Sequence, residues 1–321
     1  MSERYLITGG LGHLGQAITG QLLEKGEKIR LFDVAAPKGR RTDVEYVQGD
    51  ITDASAVARA CEGCQIVMHL AARVPQARLA PEAFRKVNVL GTKNAMEGAI
   101  QAGAKRLVFA STIEIYGPHT DRPVREDSKL HFAGEYSRNK WAGEEMIREA
   151  VAAKRIEAVM LRMPLILGPG KSEERGHLLL FAAIHRNLPV PLPSPPDAPY
   201  SAVAVDDAAS AFLLAAHAPN ANGEAMNIAA PDTPPALQLF RDFTKAAGSR
   251  SRIFSVPQFL VRPAVALAKR FDIKGLPPEL LDYVFTGGAY SIEKARKVIG
   301  YAPHYTCLEA LLRSYRAKYP S

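Results

Sequence analysis

The chain has 321 residues, of which 47% are hydrophobic and 23% are charged, and its formal net charge is +8. This balance is typical of a globular protein with a sizeable core and argues against intrinsic disorder. The length predicts a large domain together with a smaller one. The positive charge suits an anionic cofactor, an anionic substrate or a membrane surface, whereas the scattered basic residues do not favour a nucleic-acid partner.

Neither membrane insertion nor a metal site is expected. No apolar run reaches the roughly 20 residues that span a bilayer, and MSERYLITGG lacks the layout of a signal peptide. We therefore expect a cytoplasmic protein with no integral membrane segment. Cys61 and Cys64 form a CxxC with no second pair to complete a zinc site, so we interpret them as an incidental, reduced pair.

Apolar runs and helical patterns alternate through the first half of the chain. Six runs are predicted as strands: Tyr5–Thr8, Ile29–Asp33, Val44–Asp50, Ile66–Ala72, Arg106–Thr112 and Ala158–Pro164. Helical patterns lie between them, including Gly15–Lys25, Glu82–Ala102 and Tyr136–Ala153. Continuous apolar strands separated by helices indicate a parallel sheet covered on both faces, which is an α/β fold of the doubly wound type.

The regular alternation ends after Pro164. Helical patterns then follow at Pro235–Ala247, Gln258–Phe271, Ile292–Ile299 and Leu308–Lys318. We predict a nucleotide-binding domain over residues 1–165, with residues 201–229 returning to it. Residues 166–321 are then mainly a smaller, interleaved substrate-binding region.

A glycine-rich turn, TGGLGHLG, follows the first strand and opens a helix. Gly9, Gly12 and Gly15 permit a tight turn and let the backbone approach a pyrophosphate, while the helix N-terminus supplies free N–H groups. His13 lies inside this turn, either near the phosphates or at the surface. The strand before the turn and the acid after it indicate a dinucleotide site.

That acid is Asp33, which ends the second strand. A carboxylate at this position can accept hydrogen bonds from both adenosine ribose hydroxyls and would repel a 2′-phosphate, so it favours NAD over NADP. Arg40 and Arg41, in the following loop, keep NADP as the alternative.

The pattern Tyr-Ser-x-x-Lys occurs twice, at Tyr136 with Lys140 and at Tyr290 with Lys294. In the second copy Ser291 is a plausible N-cap, which places the tyrosine outside the helix and off the lysine's face. The first copy lies in a long helical pattern, where residues four apart are about 5–6 Å from each other. A lysine ammonium there would favour the phenolate form of Tyr136, because the pKa of a tyrosine is otherwise near 10.

Two hydroxyl residues, Ser111 and Thr112, stand at the carboxyl end of the fifth predicted strand. Ligands bind at this edge in open α/β sheets. A hydroxyl there can hydrogen-bond a reacting oxygen and orient it toward the tyrosine. The strand end and the Tyr136–Lys140 helix together predict an acid–base site.

In the order of these motifs the chain resembles the extended short-chain dehydrogenase/reductase family, also described as the NAD-dependent epimerase/dehydratase family. The matching segments are TGGLGHLG, LFD, GDITD, HLAA, VNVLGT, STIEIYG, YSRNK and RMPLILGPG, with AVDDAASAF and YSIEKARKVIGYAP further on. The resemblance covers nearly the whole chain and implies a Rossmann-type fold, NAD as cofactor and a small-molecule substrate. It also implies a homodimer through the helices predicted over residues 82–102 and 136–153.

The resemblance implies roles for individual residues. Tyr136 would be the general acid–base, Lys140 would bond the nicotinamide ribose, and Thr112 would be the catalytic hydroxyl with Ser111 beside it. Asn88 matches a helix asparagine near the active site, or is a polar residue that interrupts a helix. The implied cofactor-binding residues are Gly9, Gly12, His13, Leu14, Gly15, Asp33, Asp50, Ile51, Leu70, Ala71, Ala72, Tyr136, Lys140 and Pro164.

Two positions bear on the substrate. Leu165 stands where nucleotide-sugar members carry an asparagine, and Glu114 stands alone because Ile113 replaces the aspartate of sugar dehydratases. The segment Ile253–Phe271 resembles the apolar, basic segment of 3β-hydroxysteroid dehydrogenase-like members, or is a core helix with a basic end. We expect interconversion of a secondary alcohol and a ketone on an apolar substrate. The alternatives are a nucleotide-sugar 4-epimerase and a non-catalytic NAD(P)-binding regulator.

Overall fold

The computed structural model describes residues 3–37, 39, 41–74, 80–119, 122–132, 134–170, 175–192, 195–257, 259, 263 and 287–320. Its centre is a sheet of seven parallel strands in the order β10-β6-β5-β4-β1-β2-β3. These strands are β1 (Arg4–Thr8), β2 (Lys28–Asp33), β3 (Val44–Gln48), β4 (Ile66–His69), β5 (Arg106–Thr112), β6 (Glu157–Met163) and β10 (Ala225–Asn227). The predicted doubly wound α/β fold is confirmed.

Helices cover both faces of the sheet. In chain order they are α1 (His13–Glu24), α2 (Ala54–Cys61), α3 (Pro81–Arg85), a π-helix (Lys86–Leu90), α4 (Gly91–Gln101), a 3₁₀ helix (Ile113–Tyr116), α5 (Glu135–Ala152), α6 (Arg175–His185), α7 (Val205–His217), a 3₁₀ turn (Pro219–Ala221), α8 (Ala236–Ala246), α9 (Glu293–Ile299) and α10 (Cys307–Lys318). None of the helices in these described ranges combines the length and apolar composition needed to cross a membrane.

Alternation along the strands builds two cores. Ile7 and Val108 pack with α1, α7 and α9 on one face, whereas Leu6 and Leu107 pack with α2, α4 and α5 on the other. Successive strand residues point to opposite faces, so strands covered on both sides must be apolar throughout. This accounts for the continuous apolar runs in the sequence.

A third core lies in the later part of the chain. It joins α6, α8 and α10 around side chains such as Phe181, Phe243 and Leu311. Two pairs of short parallel strands border it: β7 (Leu165–Leu167) with β9 (Ala202–Ala204), and β8 (Val190–Leu192) with β11 (Ile253–Ser255). The division into domains remains a prediction.

Three predicted strands end earlier than expected, and one of them, β6, does so by a single residue, at Met163. β4 stops at His69: the Leu70 N–H still donates to the Thr8 carbonyl, but the Ala71 N–H donates to the Thr8 hydroxyl and leaves the ladder. β3 stops at Gln48, since the Asp50 side chain accepts a hydrogen bond from the Thr52 N–H and turns the chain away. All six predicted strands are otherwise confirmed.

Three helix predictions need correction or qualification. The pattern Glu82–Ala102 is broken by the π-helix, in which the Gly91 N–H bonds the Lys86 carbonyl five residues back. The N-cap of α9 is Ile292, so the prediction of Ser291 is wrong by one residue. The helix predicted over Gln258–Phe271 lies outside the described residues except at 259 and 263.

Candidate active site

The glycine-rich turn needs glycine for steric reasons. Gly9 has φ +69°, and a Cβ on it would lie 2.8 Å from the Ala71 nitrogen. A Cβ on Gly15 would lie 2.6 Å from the carbonyl oxygen of Gly10. α1 begins after Gly12 with no side-chain cap, so its first-turn N–H groups, including that of Leu14, have no side-chain acceptor. An uncapped helix N-terminus against a Cβ-free turn fits the pyrophosphate of a dinucleotide.

The His13 side chain contacts the loop after β7. Its Nε2 lies 3.0 Å from the Pro169 carbonyl oxygen, and burial is the main cause that lowers its pKa. The ring also lies against Gly170, where a Cβ would contact it at 3.0 Å. His13 therefore joins the glycine-rich turn to the loop after β7.

The Asp33 side chain contacts the same turn, and Asp50 lies after the neighbouring strand β3. The Asp33 carboxylate accepts hydrogen bonds from the Leu11 N–H at 3.1 Å and the Ala35 N–H at 3.0 Å. The hydrogen bond from the Thr52 N–H lowers the pKa of Asp50. Buried Ile51 follows, and its carbonyl accepts a hydrogen bond from the Asn94 amide at 3.0 Å.

The NADP alternative finds little support in the loop after β2. Arg41 forms two hydrogen bonds, of 2.9 and 2.8 Å, to the Asp43 carboxylate. Arg40 lies outside the described residues. In the described part of this loop, the charged side chain that contacts the glycine-rich turn is Asp33 and not an arginine.

Asn88 holds the loop after β4. Its Oδ1 accepts a hydrogen bond from the Arg73 N–H at 2.8 Å, and its Nδ2 donates to the Arg73 carbonyl at 2.9 Å. At the other end of this loop the Ala71 N–H donates to the Thr8 hydroxyl at 3.3 Å. The half-buried residues Leu70, Ala71 and Ala72 are thus fixed on both sides. Asn88 lies in the π-helix that interrupts the predicted helix, and its role in the active site stays a prediction.

Tyr136 and Lys140 lie one turn apart on α5. The Lys140 Nζ is 5.9 Å from the centre of the Tyr136 ring and 4.8 Å from that of Phe109. It donates a 2.7 Å hydrogen bond to the Ala110 carbonyl oxygen, near the end of β5. Burial lowers the pKa of Lys140 to about 7, while the nearby Glu144 raises it. The half-buried Tyr136 ring packs edge-on to Phe84, with 6.1 Å between ring centres.

The two hydroxyls at the end of β5 point to different faces of the sheet. The Ser111 hydroxyl donates to Glu144 on α5 at 2.6 Å. Thr112 follows the alternation of Val108 and Ala110, which pack in the core that contains α1. Its oxygen accepts a hydrogen bond from the Glu114 N–H at 3.2 Å, which leaves its own proton to donate. Of the two, Thr112 is the hydroxyl directed to the α1 side of the sheet.

Three other predicted site residues lie around this strand end. Pro164 is buried between β6 and β7, and half-buried Leu165 begins β7 against the third core. Glu114 is half-buried in the 3₁₀ helix that Thr112 caps.

A buried ion pair behind the site was missed in the sequence. Glu144 accepts hydrogen bonds from Arg162 at 2.9 and 2.7 Å, and from Arg148 at 2.7 Å. Burial alone would raise the pKa of Glu144, but the Arg162 guanidinium outweighs it and lowers the pKa. Arg162 also donates to the Tyr116 hydroxyl at 2.7 Å. The i,i+4 spacing of Glu144 and Arg148 could have revealed that contact, whereas no local pattern points to Arg162.

The second Tyr-Ser-x-x-Lys copy forms no comparable site. Tyr290 lies outside α9, as predicted, and is buried against Tyr116 and Val124. Lys294 makes a salt bridge to Glu224 at 2.6 Å, with both side chains partly exposed.

The strand order and the glycine-rich turn after β1 define a Rossmann-type, dinucleotide-binding enzyme. The model of the NAD dependent epimerase/dehydratase family matches residues 5–229, which is more than half of the chain. The chain therefore belongs to this family, and it is an NAD-dependent enzyme of the short-chain dehydrogenase/reductase superfamily.

Curated relatives include reductases, dehydrogenases and epimerases. The 2-alkyl-3-oxoalkanoate reductase of Stenotrophomonas maltophilia is 29% identical over 341 residues, covering 97% of this chain and 98% of the relative. The 3 beta-hydroxysteroid dehydrogenase type 7 of Rattus norvegicus is 38% identical over 125 residues, 36% of this chain and 37% of the relative. The UDP-glucose 4-epimerase of Azospirillum brasilense is 30% identical over 184 residues, which are 54% of this chain and 52% of the relative.

Solved structures share the fold over 98% or 99% of the chain. MoeE5 in complex with UDP-glucuronic acid and NAD has a TM-score of 0.79 at 21% identity, covering 98% of this chain and 99% of that one. A short-chain dehydrogenase/reductase superfamily protein from Agrobacterium tumefaciens with bound NAD has a TM-score of 0.77 at 23% identity, covering 99% and 97%. At these identities the likeness concerns the fold.

Proposed function

We propose that the protein is an NAD-dependent oxidoreductase that interconverts a secondary alcohol and a ketone. One observation carries the proposal: Lys140 shares a face of α5 with Tyr136 and is anchored on the Ala110 carbonyl, two residues before Thr112. This arrangement supports a site at the end of β5 in which the Tyr136 phenol, the Lys140 cation and the Thr112 hydroxyl act together.

Each of these side chains has a distinct role in the reaction. The Tyr136 hydroxyl exchanges a proton with the substrate oxygen, and the Thr112 hydroxyl hydrogen-bonds that oxygen. The Lys140 ammonium favours the phenolate of Tyr136 and has N–H groups beyond the one donated to Ala110. NAD, when bound, exchanges a hydride with the carbon that carries the substrate oxygen.

The cofactor would be held by the first half of the chain. Gly9 and Gly15 let the turn pack tightly, because a Cβ at either position would overlap backbone atoms of the protein. The uncapped N-terminus of α1 that follows the turn suits the pyrophosphate. Asp33, beside the glycine-rich turn, suits the two hydroxyls of the adenosine ribose and so supports NAD over NADP.

An apolar substrate is supported by two observations. Leu165, half-buried against the third core, occupies the position where nucleotide-sugar members carry an asparagine. The relative that matches almost the whole chain has a name that describes reduction of an oxoalkanoate. A carbon chain next to a reducible oxo group suits an apolar wall with a few polar groups at the reacting end.

A nucleotide-sugar 4-epimerase is the second candidate. Its support is the match to UDP-glucose 4-epimerase, which spans about half of that relative. Against it, Leu165 stands where nucleotide-sugar members carry an asparagine, and Ala198–Tyr200 stands where they tend to carry Arg-Asp. Two contacts expected for a sugar diphosphate are therefore missing. The third possibility, a non-catalytic regulator, would require neither Tyr136 nor Lys140.

Retention of the cofactor distinguishes these candidates. An epimerase must hold its nicotinamide between two half-reactions, whereas a dehydrogenase exchanges it in each turnover. We expect dialysis to remove NAD and the dialysed protein to form NADH from added NAD and a panel of secondary alcohols. NAD that resists dialysis, together with turnover of UDP-sugars, would establish the epimerase instead.

A further inference from the structure

A buried histidine, His69, lies at the end of β4 under the site and has no role in the proposed acid–base chemistry. It is 1% exposed, and its ring stacks on Phe109 with 5.7 Å between ring centres. Its Nδ1 is 2.7 Å from the Thr8 hydroxyl, and its Nε2 is 3.0 Å from the Thr92 hydroxyl. Both ring nitrogens are therefore engaged by hydroxyls that can donate or accept.

The direction of these hydrogen bonds follows from one carbonyl. The Thr92 hydroxyl lies 2.7 Å from the Asn88 carbonyl oxygen, which can only accept, so Thr92 donates its proton there. Toward His69 Thr92 can then only accept, which places the proton of the ring on Nε2. The bare Nδ1 accepts from the Thr8 hydroxyl, and that oxygen accepts the Ala71 N–H at 3.3 Å.

The imidazole keeps this form because its charged state is disfavoured. Burial, with a smaller contribution from the Lys140 charge, lowers the pKa of His69 to about 3. A second ring proton would also point at the Thr8 oxygen and would leave the Thr8 hydroxyl proton without an acceptor among the described residues. At neutral pH the Nε2–H tautomer therefore persists.

The resulting chain of hydrogen bonds leads to both ends of one loop. Through Thr8 it reaches the Ala71 N–H, and through Thr92 it reaches Asn88, whose amide binds both backbone groups of Arg73. The loop between them, residues 70–73, lies directly against Gly9, where a Cβ would be 2.8 Å from the Ala71 nitrogen. The network thus holds this loop against the glycine-rich turn.

We propose that His69 is a positioning residue which, as its Nε2–H tautomer, links Thr8 to Thr92 and fixes residues 70–73 for the nicotinamide half of the dinucleotide. This inference rests on the proposed function in one respect only, namely that these residues line the cofactor site. His69 exchanges no proton with the substrate. Its contribution appears in NAD binding, which is measurable without turnover.

Thr92→Val and Thr244→Val form a matched pair that tests the proposal. Both side chains are buried and both donate to the carbonyl four residues earlier, at 2.7 Å for Thr92 and 2.6 Å for Thr244 on α8. Only Thr92 also accepts from His69. NAD binding can be followed by the fluorescence of Trp141, the single tryptophan. Since one hydrogen bond in the network is worth about 1 kcal/mol, we expect Thr92→Val to raise the Kd for NAD roughly 5- to 10-fold.

The control should separate binding from general destabilisation. Thr244→Val should lower the midpoint of thermal unfolding to a similar extent and leave the Kd for NAD within about twofold of the wild type. The KM for NAD should follow the Kd in Thr92→Val, with a smaller change in kcat. Equal Kd values for the two variants would overturn the proposal.

Variants of His69 itself test its two hydrogen bonds, to Thr8 and to Thr92. Asparagine can keep the acceptor for Thr8, and glutamine can keep the donor for Thr92, whereas phenylalanine keeps neither. We expect His69→Phe to bind NAD at least about tenfold more weakly, with the two amides between it and the wild type. A folded His69→Phe that binds NAD like the wild type would contradict the role. If His69→Phe does not fold, the Thr92→Val comparison decides.

The tautomer has an independent readout. Nitrogen-15 shifts of the imidazole should report a protonated Nε2 and a bare Nδ1 from pH 5 to 8, with the signal assigned by its loss in His69→Gln. An Nδ1–H tautomer, or a charged ring in this range, would overturn the inference. NAD binding and the tautomer of His69 are both measured without a substrate. A negative result for His69 can therefore be distinguished from a failure of the proposed alcohol–ketone reaction.

Discussion

Lys140 meets two opposing requirements. The proposed chemistry needs its ammonium form, yet burial lowers its pKa from 10.5 to about 7. Its 2.7 Å hydrogen bond to the Ala110 carbonyl and the negative Glu144 one turn away both favour the charged form. Near pH 7 the charged and neutral forms of Lys140 are therefore both populated, because the interior disfavours the charge.

The lowered pKa of Lys140 makes the stability of the protein depend on pH. Between about pH 7 and 10.5 the unfolded chain holds the Lys140 proton and the native chain releases it. The unfolded state binds more protons in this window, so native stability rises with pH. Lys140→Met lacks this contribution. We expect the free energy of unfolding of the wild type, relative to Lys140→Met, to rise from pH 7 to 10 by on the order of 1–2 kcal/mol. Urea titrations at several pH values measure it, and a constant difference would contradict the shift.

The two hydroxyls of β5 should respond differently to removal. Thr112→Val takes away a donor to the substrate oxygen, and we expect kcat to fall about 100-fold. Ser111→Ala removes a donor to buried Glu144, so it should lower stability and change kcat by less than about tenfold. Steady-state rates and urea unfolding of both variants provide the comparison. Loss of activity in Ser111→Ala alone would reverse the assignment.

At the scale of elements, the Glu144–Arg162 pair joins α5 to β6. Both side chains are buried: 0% of the Glu144 side chain and 3% of the Arg162 side chain are exposed. Removing one partner leaves an uncompensated charge, so Glu144→Leu should cost about 3 kcal/mol of the free energy of unfolding. The double variant with Arg162→Met should lose less than the sum of the single variants.

A surface pair provides the control for this prediction. Arg155 and Glu97 also form a bidentate contact, at 3.2 and 2.6 Å, but with 45% and 30% of their side chains exposed. Solvent screens such pairs, so Arg155→Ala should have a much smaller effect on urea unfolding. Equal losses for the buried and exposed pairs would contradict the account.

The sequence carried strong signals for elements that bury both faces. The apolar run Arg106–Thr112 predicts a strand covered on both faces, and it forms β5 between β6 and β4. The strands β7 to β11 gave no such signal, because each has only three residues and pairs far along the chain, as Val190 does with Ile253. The π-helix contains Asn88, which binds the backbone of Arg73, a contact that no local pattern encodes.

The candidate site was predictable in part, because motif order and helical spacing are visible in the sequence. Motif order and helical spacing place Tyr136 near Lys140 and both near the end of β5. They do not encode the direction of each hydroxyl, which sets Thr112 and Ser111 apart. His69 lies within the quoted motif HLAA, but its tautomer depends on Thr92 and Asn88, which come from another helix.

At the scale of the whole molecule, we propose a homodimer formed through the helices at residues 81–101 and α5. Leu90, on the π-helix, is 39% exposed, and Leu214 on α7 is equally exposed. Burying Leu90 in an interface would explain its exposure on the isolated chain. We expect sedimentation to find a dimer in the wild type and in Leu214→Arg, and a monomer in Leu90→Arg. A monomeric wild type would contradict the proposal.

The most direct test of the proposed reaction is the variant Tyr136→Phe, compared with the wild type under the same conditions. It removes one hydroxyl and keeps the ring that packs on Phe84. With saturating NAD and a secondary alcohol that the wild type oxidises, the rate of NADH formation should fall at least about 100-fold. The Kd for NAD, followed through Trp141, should stay within about threefold of the wild-type value. A variant that still forms NADH at the wild-type rate would show that Tyr136 is not the proton-exchanging group.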